Sequence, residues 1–242
     1  MVQINRQRFL TSLAEMAQIG RVPVAEGDGL NRAPFSPADR AARARFCEMA
    51  RQAGLDIATD EAANLSARLA SGSEGAKTLL LGSHLDTVPH GGPYDGALGV
   101  MAALEVLTVV AENEIHLPFH LEAIDFTDEE GRFGDFFGSR ALAGAHNNET
   151  LSSFFERIGS FPDDLEAMRE MVTGGLSPSE ISNARRAPDT LTGFLELHIE
   201  QGPRLEHAGI PIGVVSAIFG RTSFTVSYTH LTLPTMSTTC RC

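Results

Sequence analysis

The chain has 242 residues, 43% hydrophobic and 21% charged, an ordinary balance for a globular protein with a core. Its formal net charge of −12 leaves no basic footprint for nucleic acid or an anionic membrane. No run of about 18 apolar residues suggests a membrane span, and the three cysteines form no disulfide framework, so a reducing cytoplasm is the default compartment.

Helical spacing places Phe9, Leu10, Leu13 and Met16 on one face of a first helix, and Glu15 interrupts its apolar stretch too early for a signal peptide. A second helix is expected from Ser36-Pro37, with Ser36 as cap and Pro37 in the first turn, through Phe46 and Met49 to a stop near Gly54. Leu65 to Leu69 reads as a strand, and the apolar run Thr78 to Leu81 as a buried one. Gly96 to Val110 has helical periodicity and Phe119 to Phe126 strand character. Residues 150 to 185 read as helical with breaks at Gly159, Pro162 and Gly174-Gly175, and Leu195 to Ile199 as a further inner strand. Strands alternating with helices give an α/β sheet covered on both faces.

The last segment differs. Ile212 to Val226 reads as two strands around Gly220. The final sixteen residues, from Ser227, hold five Thr, two Cys (Cys240 and Cys242) and no acid, an abrupt shift from the acidic chain before them.

Four constellations carry chemistry. His84 and Asp86 follow the Thr78–Leu81 strand, at the strand end where α/β sheets place their ligand crevice, and residues two apart on a strand point the same way. Asp86 could then orient the imidazole, although a lone His-x-Asp also fits a loop histidine bonded to a neighbour. Asp95 stands among glycines just before a helix, as a held carboxylate or simply as a cap or turn former. Asp125, Asp128, Glu129 and Glu130 follow the Phe119–Phe126 strand. Four acids within six residues repel one another unless solvent or a cation relieves them, and two adjacent glutamates could divide ligation and proton transfer. Glu196, His198 and Glu200 alternate along the inferred Leu195–Ile199 strand, as an edge facing water or as a row of ligands. Imidazole with carboxylate suits zinc, manganese or cobalt better than calcium, and the lack of clustered cysteines argues against a structural zinc site.

The phrases GSHLDTVPHGGPYDGALGV (82–100), TDEEGRFGDFFGSRALAG (127–144) and LELHIEQGPRLE (195–206) resemble, in that order, the motifs of the two-metal aminoacylase/carboxypeptidase family of metallohydrolases. They are most similar to its amidohydrolase branch of N-carbamoyl-L-amino-acid hydrolases, allantoate amidohydrolases and ureidoglycolate hydrolases. The resemblance covers roughly residues 5 to 226.

That resemblance implies a three-layer zinc-exopeptidase-like domain with a mostly parallel sheet, over residues 1–211. It implies two divalent metal ions (zinc, manganese or cobalt), with His84 on one, Asp95 bridging both, Glu130 opposite His84 and His198 on His84's side. Asp86 would orient His84, Glu129 would be the general base, and Gln201 and Arg140 would lie near a small-molecule substrate. It further implies a non-proline cis peptide just after Asp95, cytoplasmic localisation and a homodimer in the full-length form. The expected activity is hydrolysis of amide or carbamoyl bonds in N-carbamoyl amino acids, allantoate or related ureido acids. A dipeptidase or aminoacylase, or an inactive fragment that only binds metal, is the alternative.

The family pattern also has a lid and dimerisation domain and a last histidine ligand. Residues 212–226 read as the beginning of that lid; Tyr228-Thr-His230-Leu does not match the segment expected after it. The expectation is a truncated chain with a non-native tail, 227–242, and poor or no turnover.

Overall fold

The computed structural model describes residues 2–23, 28–172 and 175–218. The chain divides into two compact units, Met1–Ile199 and Glu200–Cys242.

The first unit opens with helix α1 (Arg6–Met16), capped by the Asn5 side chain, and helix α2 (Pro37–Gln52), whose Asp39 N–H donates to Ser36 Oγ at 3.2 Å. Strands β1 (Asp56–Thr59), β2 (Leu65–Leu69) and β3 (Thr78–His84) lead to helix α3 (Ala97–Glu112) and strand β4 (His120–Phe126). Helices α4 (Phe137–Ala143), α5 (Asn148–Gly159), α6 (Pro162–Met171) and α7 (Pro178–Ile181) precede strand β5 (Leu191–Leu195). The second unit holds helix α8 (Arg204–Ala208), whose first N–H groups at Arg204 and Leu205 are capped by the Glu200 carboxylate at 2.9 and 2.8 Å.

The five strands form one open mixed sheet in the order β1-β2-β4-β3-β5. β4, β3 and β5 run parallel, and β2 and β1 continue antiparallel from β4. Alternation along the strands decides which layer each residue meets. Leu121 and Ala123 of β4 face a core built with Leu13, Met16, Phe46, Val100, Leu104 and Leu107 of α1, α2 and α3. Ile124 and Phe126 face the other way with Leu80 of β3, against Leu142 of α4. A separate aromatic cluster, including Phe35, Phe133, Phe137 and Phe154, anchors α4 and α5. These are the three layers expected of an α/β fold, and the strand ends after β3 and β4, which carry candidate site residues, emerge on the same side because the two strands are parallel neighbours in register, His84 opposite Phe126.

Several expectations are corrected. Leu10 leaves the buried face of α1 and is 47% exposed. The strand placed at Leu195–Ile199 lies instead at Leu191–Leu195, because pairing with β3 ends at Leu81↔Leu195. The chain then quits the ladder, and Glu196 accepts a hydrogen bond from the Ser83 hydroxyl at 2.5 Å, so Glu196, His198 and Glu200 share no strand face. No cis peptide occurs among the described residues, Asp95–Gly96 included. No strand forms at 212–218, and the rest of that pair, with Gly220 and the tail 227–242, lies outside the described residues.

Candidate metal centre

Three side chains meet beyond the ends of β3 and β5. One ligand atom from each of His84, Asp95 and His198 lies within 4.8 Å of the others. Asp95 is central: its Oδ1 is 3.0 Å from His198 Nε2 and 3.8 Å from His84 Nε2. Each imidazole is held from behind. His84 Nδ1 lies 3.0 Å from the Asp86 carbonyl, and His198 Nδ1 lies 2.8 Å from the Ile199 carbonyl. A carbonyl only accepts, so each Nδ1 carries a proton and donates it, which turns both Nε2 atoms toward the Asp95 carboxylate, as lone pairs in the neutral rings. Three acceptors converging on one point repel unless a cation or a proton lies among them.

The donor set therefore fits a divalent metal. Two oriented imidazoles and a carboxylate are the ligands that zinc, manganese and cobalt prefer, and backbone anchoring of the far ring nitrogen is the usual support for such ligands.

Local backbone explains the placement. Gly96 sits at φ +64°, and a Cβ there would fall 2.3 Å from the His84 carbonyl oxygen and 2.5 Å from His84 Nδ1. Only glycine lets the Asp95 loop pack on the His84 ring. Asp86, fully buried, accepts hydrogen bonds from the backbone N–H groups of Glu129 (3.3 Å) and Glu130 (3.1 Å), so it ties the β4 loop to the β3 loop. Burial lowers the affinity of His84 for a proton, but the Asp86 charge and carbonyl, together with the charges of Glu130 and Asp95, outweigh this and leave the pKa raised.

The β4 loop is built on Asp128, buried at φ +52°. Its carboxylate accepts from the N–H groups of Arg132 (2.7 Å), Phe133 (3.0 Å) and Gly134 (2.7 Å), which holds this left-handed turn closed. The acidic run is thus not a solvated cluster: Asp125 and Asp128 are buried structural acids, and the two glutamates that follow them, Glu129 and Glu130, are half-buried. Glu129 accepts from Ser139 N–H and Ser139 Oγ, both at 2.8 Å, and burial pushes its pKa up to about 7 against those two hydrogen bonds. Glu130 lies outside the three-residue cluster, half buried; burial raises its pKa while the His84 imidazole opposes the rise.

Arg140, on α4, donates to the Ala145 carbonyl at 3.3 Å. Gln201 belongs to the second unit, at φ +32°. Ser139 escaped the sequence reading; it falls inside a phrase that carries the resemblance, but an uncharged serine ten residues from its partner gives no local signal.

Residues 64–158 match the model of Peptidase family M28. The chain is 38% identical over 220 residues to an N-carbamoyl-L-amino acid amidohydrolase of Geobacillus stearothermophilus, covering 90% of this chain and 51% of that protein. It is 34% identical to allantoate deiminase 1 of Glycine max, over 89% of this chain and 44% of that protein. Among solved structures, a hydantoinase/carbamoylase family amidase from Burkholderia ambifaria superposes with a TM-score of 0.71 at 33% identity, covering 86% of this chain and 48% of that one. The fold is that of the metallopeptidase-like hydrolases. The chain is similar in sequence to N-carbamoyl-L-amino-acid amidohydrolases and allantoate deiminases, the branch that the resemblance named, and it spans about half the length of the curated relatives it matches. No helix among the described residues is long and apolar enough to cross a membrane.

Proposed function

We propose that this chain carries metal-binding catalytic machinery of an amidohydrolase that cleaves amide or carbamoyl C–N bonds in N-carbamoyl amino acids, allantoate or related ureido acids. The observation that carries this reading is the convergence of His84 Nε2, His198 Nε2 and Asp95 Oδ1, with both imidazoles anchored from behind, beside a glutamate pinned by Ser139. In this reading His84, Asp95 and His198 hold one divalent ion, Asp95 and Glu130 serve a second, and Asp86 orients His84. Zinc, manganese or cobalt bound there supplies Lewis acidity that activates a water and polarises the carbonyl. Glu129, free of ligand duty, takes a proton from the attacking water and returns it to the leaving nitrogen, and a pKa near the working pH suits both directions. Ser139 keeps its carboxylate aimed between the loops. Gln201 and Arg140 contact the substrate, and the full-length form is a homodimer.

The match to a peptidase family over residues 64–158 favours a second reading, a dipeptidase or aminoacylase. Assay of the full-length form with zinc, manganese or cobalt on N-carbamoyl amino acids, allantoate and dipeptides separates the two. Turnover of the ureido substrates that Glu129→Gln abolishes without loss of metal supports the first reading. Dipeptide hydrolysis alone selects the second, and metal loss in Glu129→Gln makes Glu129 a ligand.

A further inference from the structure

Behind the site lies a buried cation that the chemistry above does not use. Arg43, on α2, is 5% exposed, and the acids beside it, Asp39 and Asp125, are 1% and 0% exposed. Its Nε stands 3.2 Å from Asp125 Oδ2 and 3.4 Å from Asp39 Oδ1. The two terminal nitrogens diverge: one donates to the Ala63 carbonyl at 2.6 Å and the other to the Thr127 hydroxyl at 3.0 Å.

Each partner leads to a segment of the site. Asp125 Oδ1 accepts the Leu85 N–H at 2.7 Å, and Leu85 is the residue between His84 and Asp86. Thr127 immediately precedes Asp128, Glu129 and Glu130, and its hydroxyl donates in turn to the Ala63 carbonyl at 2.7 Å. Ala63 is held at φ +62°, a conformation that a buried alanine keeps only when its surroundings impose it. The next residue, Asn64, accepts the Thr127 N–H at 3.0 Å and donates to the Gly138 carbonyl at 3.1 Å, beside Ser139.

We infer that Arg43 is a positioning residue of the metal centre, its guanidinium fixing the spacing between the His84–Asp86 segment, through Asp125, and the Glu129–Glu130 segment, through Thr127 and the Ala63-Asn64 turn. A planar fork with divergent donors reaches these partners at once; a lysine ammonium would keep the charge and lose that reach. Residues that orient ligands from behind govern metal affinity in the range of 10–100-fold. This inference rests on the reading of His84, Asp95 and His198 as ligands.

Cobalt(II) titration of the wild-type chain, followed by its visible absorption, tests that reading first: no cobalt band means that the ligand assignment, not the role of Arg43, has failed. With the band present, Arg43→Lys should weaken cobalt binding about tenfold or more and change the band's shape, because the ligand geometry relaxes. Leu107→Ala, in the core of α3 away from the site, serves as the stability control; it should lower the melting temperature and leave the band and affinity as in wild type. Should Arg43→Lys not fold, Asp125→Asn, which keeps an acceptor for Leu85 and loses the charge that pairs with Arg43, carries the test with the same expected result. Wild-type affinity and band shape in the folded variant overturn the inference. So does an equal loss of affinity in Leu107→Ala, which would assign the effect to stability alone.

Discussion

Ser139 grips both oxygens of Glu129, its N–H donating to one and its hydroxyl to the other, each at 2.8 Å. Removing the hydroxyl leaves one donor on a half-buried carboxylate that, as the proposed general base, must stay aimed to move a proton. Ser139→Ala is expected to lower kcat about tenfold, the equivalent of about 1.4 kcal/mol, within the range of one hydrogen bond to a charged group. Metal affinity should be unchanged. Steady-state kinetics with a parallel metal titration checks this, and a variant with wild-type kcat would remove Ser139 from the machinery.

Asp95 stands between the two imidazoles, so its loss should cost more than the loss of any outer partner. Asp95→Ala is expected to weaken zinc binding by about a hundredfold or more, beyond the 10–100-fold typical of residues that only orient ligands. In the wild-type chain, zinc at a hundred times its Kd should stabilise the fold by about 2.7 kcal/mol, and a chelator should reverse the gain. Thermal melts with and without zinc measure both, and an equal zinc-induced shift in Asp95→Ala would place the metal elsewhere.

Gly96 cannot accept a side chain. A Cβ would sit 2.3 Å from the His84 carbonyl oxygen, and the residue's φ of +64° is costly for any L side chain. Gly96→Ala should lose about 1–3 kcal/mol for the backbone conformation alone and, by displacing the His84 ring, should lose metal as well. Chemical denaturation gives the first quantity and metal titration the second. A fully stable Gly96→Ala that still binds metal would contradict this packing.

His146 places an acid limit on stability. Its Nε2 contacts the Phe137 carbonyl at 2.8 Å, and burial lowers its pKa below the ordinary 6.5. The unfolded chain therefore takes up a proton at a pH where the folded chain does not. The stability is fully present above the unfolded value of about 6.5 and is lost as pH falls from there through the lower folded value. Unfolding measured between pH 7.5 and 5.5 should show a steeper decline for wild type than for His146→Gln, with matching slopes above about pH 7. Parallel curves across the whole range would show that His146 titrates alike in both states.

Much of this protein is local and could be read from the chain. Ser36-Pro37 set the start of α2 through a side-chain cap and a fixed φ, and the apolar run at Thr78–Leu81 marked β3, because caps and alternation act within a few residues. The phrases around His84, Asp95 and His198 also singled out the three side chains that the fold brings together, since residue types can be read without distant partners. Tertiary structure decided the rest. Where β5 ends depends on how far β3 extends beside it, so the sequence alternation through Glu196 and His198 pointed to a strand that pairing did not supply. Asp125 and Asp128 look like surface acids in sequence, yet their burial is set by Arg43, by the Leu85 N–H and by three N–H groups of a turn. The grip of Ser139 on Glu129 and of Arg43 on both site loops joins residues 10, 82 and 84 positions apart, measured from Ser139 to Glu129 and from Arg43 to Asp125 and Thr127. Hydrogen bonds of that kind are satisfied only once the sheet has brought the strand ends together, and no periodicity in the chain encodes them.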